Sequence, residues 1–142
     1  TMKYTQQGFG VLEVMIVMII MVILASLSYP RYDAQVKRSK RLEGQAFLAD
    51  VAARQARYFA QNNRYITDST ELIKLYGHAF QVDQSSTGYY LLQLEPGADE
   101  DGGYALTAVQ QFADSICGNL TLNAQGEKGY TGSGYGVEQC WR

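Results

Sequence analysis

The sequence predicts an α+β fold in which a long, kinked N-terminal helix packs on a four-stranded antiparallel sheet and a disulfide closes a C-terminal loop. An apolar segment of 22 residues, Phe9 to Pro30, contains a single charged residue. A helical pattern of apolar residues follows it as far as Ala60. Beyond Gly77 the pattern changes to segments rich in Tyr, Leu, Thr and Val, which are typical of strands.

Length and composition restrict the class of protein. The chain has 142 residues, which corresponds to one domain and little more. Charged residues make up 18% of it, and the formal net charge is −2. These values exclude a multidomain enzyme, a disordered acidic tail and a protein that binds nucleic acid through an overall basic charge.

The apolar segment has the length of a membrane span. As a helix, its 22 residues extend about 33 Å, which matches a bilayer core of roughly 30 Å. A signal peptide is one alternative, but its apolar core has only about 7 to 15 residues. A buried soluble helix is another, but the rest of the chain is too small to cover this segment on all sides. We therefore expect residues 9–30 to insert into a membrane.

Glu13 is the one charged residue in this segment. A carboxylate near the centre of a spanning helix costs about 2.5 to 3.5 kcal/mol, and less near an end. No basic residue lies on the same helical segment to pair with it. Glu13 is therefore expected either to sit solvated at the membrane interface or to bind a positive group from another molecule.

The helix is expected to continue beyond the membrane over residues 31–60. Pro30 removes a backbone donor and predicts a kink, and Gly44 is a second weak point. Five basic residues near the start predict a solvated face, or a contact with acidic lipid or a neighbour's carboxylates: Arg31, Lys37, Arg38, Lys40 and Arg41. Spacings of three and four predict the buried face as Leu42, Ala46, Ala49, Ala53, Ala56 and Ala60, beside a row of Leu48, Val51 or Ala52, and Phe59.

The remainder of the chain is expected to form a head domain. Asp68 and Glu71 have the spacing of a capping box, and Gly77 is placed to end a short helix. Strands are expected at residues 87–95, 104–109, 118–122 and 127–131. The loops between and after them are expected at residues 95–103, 123–126 and, rich in glycine, 129–136.

The two cysteines indicate the compartment. Cys117 and Cys140 leave no unpaired thiol if they form a disulfide, and a metal site is disfavoured because there is no CxxC motif and only one histidine. Such a disulfide would stabilise the head by roughly 3.5 kcal/mol. It would persist only in an oxidising space such as the periplasm. Two reduced, buried cysteines are the alternative.

Residues 8–17, Gly-Phe-Gly-Val-Leu-Glu-Val-Met-Ile-Val, resemble the processing and assembly signature of type IV pilins and their pseudopilin relatives. The resemblance implies cleavage after Gly8 by a membrane prepilin peptidase and N-methylation of Phe9. It also implies that Glu13 pairs with the terminal amine of a neighbouring subunit in the fibre. Gly10 departs from the pattern, which usually has Thr there, and glycine lowers helix propensity by about 1 kcal/mol.

The head resembles the same family. Residues 57–65 resemble the helix-to-loop junction of PilE-type minor pilins, and residues 117–122, 126–129 and 140–141 resemble their C-terminal disulfide-bounded region. The resemblance implies a type IV pilin fold in four parts. These are a leader peptide (1–8), a transmembrane and fibre-core half-helix (9–30), an amphipathic half-helix (31–60) and a globular head (61–142).

The function that this resemblance implies is assembly rather than catalysis. The chain is expected to be a minor pilin, held in the inner membrane with its head in the periplasm and later present in the pilus at the cell surface. The roles implied are pilus biogenesis, twitching motility, adhesion or DNA uptake. The partners implied are major and minor pilins, bound through the N-terminal helix, and the prepilin peptidase/methyltransferase. A count of basic residues around the span predicts the opposite topology, but the disulfide favours a periplasmic head.

Other candidate sites are weak. His78 has no second histidine and no nucleophile at a recognisable spacing, so catalysis there is disfavoured. Asp99, Glu100 and Asp101 lack the alternating spacing of an EF-hand and are expected to form a solvated loop. No cofactor or metal is expected. Tyrosines at 89, 90, 104, 130 and 135 are expected in the sheet and core.

DNA binding is the hardest function to judge from sequence. From Phe59 onward there are four basic and ten acidic residues, a net charge of −6, which disfavours contact with phosphates. A DNA-uptake receptor and a type II secretion pseudopilin stay as alternatives to a structural minor pilin. A single-span membrane enzyme is disfavoured because the sequence contains no recognisable catalytic set.

Overall fold

A computed structural model describes residues 8–77, 82–134 and 136–142 of the chain. Seven residues of the expected leader, together with His78 and Tyr135, lie outside these ranges. The predicted α+β fold is confirmed, with one long helix and a four-stranded sheet. The helices are α1 (Val11–Asn62), α2 (Ile73–Tyr76) and α3 (Val137–Cys140), and the strands are β1 (Tyr90–Glu95), β2 (Ala105–Gln110), β3 (Leu120–Asn123) and β4 (Lys128–Tyr130).

Helix α1 is 52 residues long, and both of its ends follow from the sequence. At its start, the amides of Glu13 and Val14 donate to the carbonyl of Gly10, at 3.0 and 3.2 Å. At its end, Asn63 adopts a left-handed conformation with φ of 53°, which asparagine tolerates better than most residues. Helix continues on both sides of Pro30, and the kink stays a prediction.

The chain divides into two compact units, Thr1–Val36 and Lys37–Arg142. In the first unit, the described large apolar side chains are exposed. The second unit contains the rest of α1, the sheet and the hydrophobic core.

The sheet is antiparallel throughout, with the strand order β1-β2-β3-β4. Its strands lie within three residues of the predicted ranges at their starts and within one at their ends. The register aligns Leu92 with Ala108, Ala108 with Leu120, and Leu120 with Tyr130. Buried and more exposed residues alternate along β1 and most of β2, so one face of the sheet packs on the core.

The buried face of α1 differs from the main predicted face. Gly44, Leu48, Val51 and Gln55 are buried, at spacings of four, three and four. Leu48 and Val51 belong to the secondary predicted row. The main predicted row is exposed along its whole length: Leu42, Ala46, Ala49, Ala53, Ala56 and Ala60. Alanine satisfies a helical apolar pattern on either side of a helix, because it is small enough to be tolerated in water.

The buried face of α1 is rotated about the helix axis from the predicted one. Two buried residues that a hydropathy pattern does not select, Gly44 and Gln55, explain this difference. A Cβ atom on Gly44 would lie 2.7 Å from Cε2 of Tyr90, so only glycine admits the tyrosine ring this close to the helix. The buried Gln55 donates from Nε2 to the carbonyl of Ile66 (2.6 Å) and accepts from the Ile66 amide (3.0 Å). The Gln55 side chain thereby satisfies the hydrogen-bonding groups of the buried Ile66 backbone.

The shorter elements agree with their sequence signals in part. Asp68 caps the 3-10 turn Ser69–Glu71 by accepting from the Thr70 amide at 2.9 Å, and Gly77 ends α2 with φ of 71°. Glu71 does not complete the capping box, because its carboxylate binds Arg64 and Lys74 instead. Gly129 was included in both the predicted fourth strand and the predicted glycine-rich loop, and it lies in β4. Helix α3 was not predicted.

Candidate functional site

The first candidate site is the start of α1. Gly8, Phe9 and Gly10 precede the helix and are exposed, and Glu13 lies in the first turn. A carboxylate in this position is favoured by the positive end of the helix dipole. Glu13 makes no ion pair within the described residues, so the structure of one chain does not supply the positive partner that the resemblance implies.

The surface around Glu13 is apolar. Phe9, Val14, Val17 and Met21 lie beside Glu13 on one exposed face of this segment. The most apolar 18-residue window of α1 has a mean hydropathy of 2.7, and none of it is buried. Length and composition suit this part of α1 to cross a membrane or to pack among similar helices.

The second candidate region is the C-terminal loop closed by Cys117 and Cys140. These residues form the predicted disulfide, with an S–S distance of 2.09 Å and both side chains buried. Gln45 of α1 donates to the carbonyl of Cys140 at 2.9 Å. The indole of Trp141 donates to the carbonyl of Gly129 at 2.8 Å. The C-terminal end of this loop is therefore held both to α1 and to β4, which lies within the loop.

An ion pair with a buried carboxylate joins α1 to the segment that immediately precedes Cys117. Arg41 donates from Nε to Oδ2 of Asp114 (2.6 Å) and from Nη2 to Oδ1 (2.8 Å). Burial alone would raise the pKa of Asp114, but the hydrogen bonds from Arg41 and from the amides of Cys117 and Ile116 outweigh burial and lower it. The Asp114 carboxylate therefore stays ionised inside the head.

Two of the five basic residues predicted as a solvated or lipid-facing cluster have other roles. Arg41 binds Asp114, and Lys40 lies over the rings of Tyr89 and Phe112, with Nζ 4.6 and 4.8 Å from their centroids. Both residues contact other parts of the head, Arg41 through an ion pair and Lys40 through cation–π contacts. The prediction was wrong for these two because it did not include long-range partners.

The third candidate site is a groove between the end of α1 and α2. Its volume is about 180 Å³, and its lining residues are Arg54, Arg57, Tyr58, Gln61, Lys74 and Leu75. Three of these six residues are basic. We call it the basic groove. This groove is not evident from the sequence, because Arg54 and Arg57 lie 20 and 17 residues before Lys74, and a count of head charges from Phe59 onward excludes both arginines.

Most cations at the basic groove already have partners. Arg54 binds Asp50 at 2.9 Å and lies over the Tyr76 ring at 4.2 Å. Arg64, beside the groove, donates to Glu71 at 3.3 Å and to the hydroxyl of Tyr58 at 3.2 Å.

Glu71 bridges two cations at this groove, Lys74 in its lining and Arg64 beside it. One carboxylate oxygen binds Lys74 and the other binds Arg64. Hydrogen bonds from Lys74 and then Arg64 lower the pKa of Glu71. Arg57 is different, because its side chain makes no hydrogen bond or ion pair with the part of the chain that the structure describes.

The acidic loop at residues 99–101 has its own neighbours. Asn123 donates from Nδ2 to Asp101 (3.2 Å) and to Glu127 (2.7 Å). Asp101 also accepts from the amide of Ala98 at 2.6 Å.

Across residues 8–77, 82–134 and 136–142 there is no group of three or more His, Cys, Asp or Glu residues that could hold a metal ion.

Comparisons with known proteins cover the first and third sites and the beginning of the second. The model of a family described as type IV minor pilin ComP, DNA uptake sequence receptor, matches residues 30–121, which is well over half of the chain. The prokaryotic N-terminal methylation motif matches residues 3–29. No curated protein matches the chain, and no solved structure does. The first match includes the basic groove and Asp114, and the second includes Gly8, Phe9 and Glu13.

Proposed function

The chain belongs to the type IV minor pilin family described as ComP, DNA uptake sequence receptor, and we propose that it enters a type IV pilus through its apolar N-terminal helix after cleavage at Gly8. Members of a pilin family are structural subunits that associate with other pilus subunits. The observation that carries the proposal is the methylation motif at residues 3–29, which precedes and overlaps a fully exposed apolar helix.

Processing is the first step of the proposal. A peptidase needs an accessible, non-helical backbone, and Gly8 and Phe9 are exposed and precede the first residue of α1. Cleavage after Gly8 would make Phe9 the new N-terminus and create a positive amine four residues before Glu13. N-methylation would then modify that amine.

A substitution at Gly8 tests this step. Gly8→Leu should leave an unprocessed precursor, which migrates more slowly on a denaturing gel and keeps residues 1–8 in its mass. Gly10→Ala is the matched control, because a Cβ at either glycine meets no atom within 4 Å. Normal processing of Gly8→Leu would contradict the proposed cleavage position.

Assembly is the second step. The apolar side chains of residues 9–29 are exposed in a single chain, and burying such surface gains roughly 25 cal/mol per Å² in water. Because lipid tails already cover this surface before assembly, transfer into the fibre needs a specific interaction as well as apolar contact. We assign that role to Glu13, paired with the Phe9 amine of a neighbouring subunit.

The disulfide supports a periplasmic position of the head. Cys117 and Cys140 are joined, and disulfides persist in oxidising compartments such as the periplasm. The head would therefore lie in the periplasm while the helix is in the inner membrane, and at the cell surface after assembly. The match to a type IV minor pilin family favours a pilus over a type II secretion pseudopilin.

DNA binding is a second proposed function, favoured by the family match. The matching family is described as a DNA uptake sequence receptor, and the basic groove supplies a local exception to the negative head. A gel shift with the full chain in detergent micelles tests it, using a 30-base-pair duplex at 50 and 200 mM NaCl. A shift that weakens with salt supports direct binding to phosphates, and no shift at 50 mM NaCl contradicts it.

A further inference from the structure

The basic groove combines satisfied cations with one that has no partner. Arg54 and Lys74 in the groove, and Arg64 beside it, each bind a carboxylate, whereas the side chain of Arg57 in the groove makes no hydrogen bond or ion pair with any described residue. Arginine is strongly suited to phosphate because its planar guanidinium presents several donors in a fixed geometry. An anionic group that entered the groove could bind Arg57 without displacing another partner.

Glu71 lies beside the groove and already binds two cations there, as such an anion would. Its two carboxylate oxygens bind separate cations, Lys74 and Arg64. A phosphodiester also presents two charged oxygens, so it offers the same contacts. The pairs are partly exposed, with side-chain exposures of 47% for Lys74, 52% for Arg64 and 30% for Glu71. Exposed pairs of this kind contribute little to stability, and they exchange partners at small cost.

The lining of the groove indicates which part of DNA it contacts. Three of its six lining residues are cations, and at about 180 Å³ it is smaller than an ordinary ligand cleft, which begins at roughly 300 Å³. A small cationic groove suits the charged phosphate group rather than the neutral face of a nucleobase. Contacts to phosphate position a protein on a duplex and carry no sequence information directly.

We propose that the basic groove, together with the adjoining Arg64, is a contact for the phosphate backbone of DNA, and that Glu71 is an internal counterion that competes with phosphate for Arg64 and Lys74. This inference rests on the proposed DNA-binding function. Arg57 supplies the first contact, and displacement of Glu71 supplies two more. Glu71 thereby keeps the groove neutralised in the free protein and weakens binding to anions that offer only one contact.

The experiment measures DNA binding by fluorescence anisotropy with the full mature chain in detergent micelles. The probes are two labelled 30-base-pair duplexes of unrelated sequence, each titrated at 50 and 200 mM NaCl. The variants are Arg57→Ala, Arg57→Lys and Glu71→Gln. Arg142→Ala is the control for loss of one positive charge, because Arg142 is exposed and lies outside the groove.

Arg57→Ala should weaken binding by about the same factor for both duplexes and reduce the salt slope by about 1. Because one phosphate contact contributes a slope of about 0.9, the loss of affinity between 50 and 200 mM NaCl should become about threefold smaller. Arg57→Lys should restore most of the salt slope. Glu71→Gln should tighten binding at least twofold and steepen the salt slope, whereas Arg142→Ala should change neither.

The outcomes separate the two proposals. If the wild-type chain binds neither duplex at 50 mM NaCl, the DNA-binding function fails and the groove assignment fails with it. If the wild type binds but Arg57→Ala and Glu71→Gln behave as Arg142→Ala does, only the groove assignment is overturned. Weaker binding by Glu71→Gln would overturn the competition and make Glu71 a positioning residue instead.

Discussion

Arg41 of α1 and Asp114 of the loop between β2 and β3 form a bidentate, buried ion pair across 73 positions of sequence. The Asp114 side chain has no exposed surface, and it also accepts from the amide of Cys117. One carboxylate therefore connects the long helix to the disulfide loop. The position of the head on α1 depends on this contact as well as on apolar packing.

Removal of Asp114 should destabilise the head strongly. Asp114→Ala leaves the Arg41 guanidinium buried without its counterion, which typically costs about 3 to 5 kcal/mol. The measurement is the urea midpoint of the full chain in detergent micelles. Asp50→Ala is the matched control, because Asp50 and Arg54 form an exposed i,i+4 pair for which about 0.5 kcal/mol is expected. Equal effects of the two substitutions would contradict a special role for Asp114.

The same pair predicts a pH dependence. The pKa of Asp114 is lowered in the folded protein, so its contribution is present above the ordinary pKa of about 3.9 and is lost as the pH falls through the folded value. The stability difference between wild type and Asp114→Asn should therefore be constant from pH 7 to about pH 5 and shrink below about pH 4. A difference that grows on acidification would contradict the sign of this shift.

Gly44 should be intolerant of even the smallest side chain. Alanine raises helix propensity by about 1 kcal/mol over glycine, but its Cβ would lie 2.7 to 2.9 Å from three atoms of the Tyr90 ring. We expect Gly44→Ala to destabilise the head by about 1 to 3 kcal/mol through overpacking. The measurement is again the urea midpoint.

A double-mutant cycle identifies the cause. Tyr90→Leu removes the ring that the new Cβ would meet, so Gly44→Ala should cost much less in the Tyr90→Leu background. The same cost in both backgrounds would show that the ring contact is not the reason.

The disulfide should supply a large share of the stability of the head. Replacing Cys117 and Cys140 together by Ser should cost about 2 to 5 kcal/mol. Reductant should lower the unfolding midpoint of the wild type to that of the variant and leave the variant unchanged. If reductant lowered both midpoints equally, the effect would not come from the Cys117–Cys140 bond.

Glu13 should matter for assembly and not for insertion. Glu13→Ala removes the proposed partner of the Phe9 amine, and it also makes the apolar segment cheaper to insert in a membrane. We expect normal amounts of this variant in membranes and a loss of at least tenfold from sheared filaments, as measured by immunoblot. Glu95→Ala, which removes an exposed carboxylate from β1, is the control. Filament levels of Glu13→Ala equal to those of the control would refute the pairing.

Local signals were sufficient for much of the fold. The strands follow from runs of Tyr, Leu, Thr and Val, the end of α2 follows from Gly77, and the disulfide follows from having two cysteines in all. Each of these inferences needs only neighbouring residues or a count.

The remaining features depend on partners far away in sequence. Gln55 is buried because it binds the backbone of Ile66. Lys40 does not belong to a solvated cluster because it contacts the rings of Tyr89 and Phe112. Arg41 does not belong to one because it binds Asp114. The basic groove could be suspected from Arg54, Arg57, Arg64 and Lys74 only if the end of α1 were counted with the head. A single sequence gives no indication that these residues meet.

Mass spectrometry of filaments sheared from cells that express the chain tests the central claim, that a clipped apolar helix carries this subunit into a pilus. We predict a polypeptide that begins at Phe9, carries one methyl group on its terminal amine, contains an intact Cys117–Cys140 bond and is far less abundant than the main filament subunit. Absence of the chain from the filaments, or a filament-bound chain that retains residues 1–8, would contradict the claim.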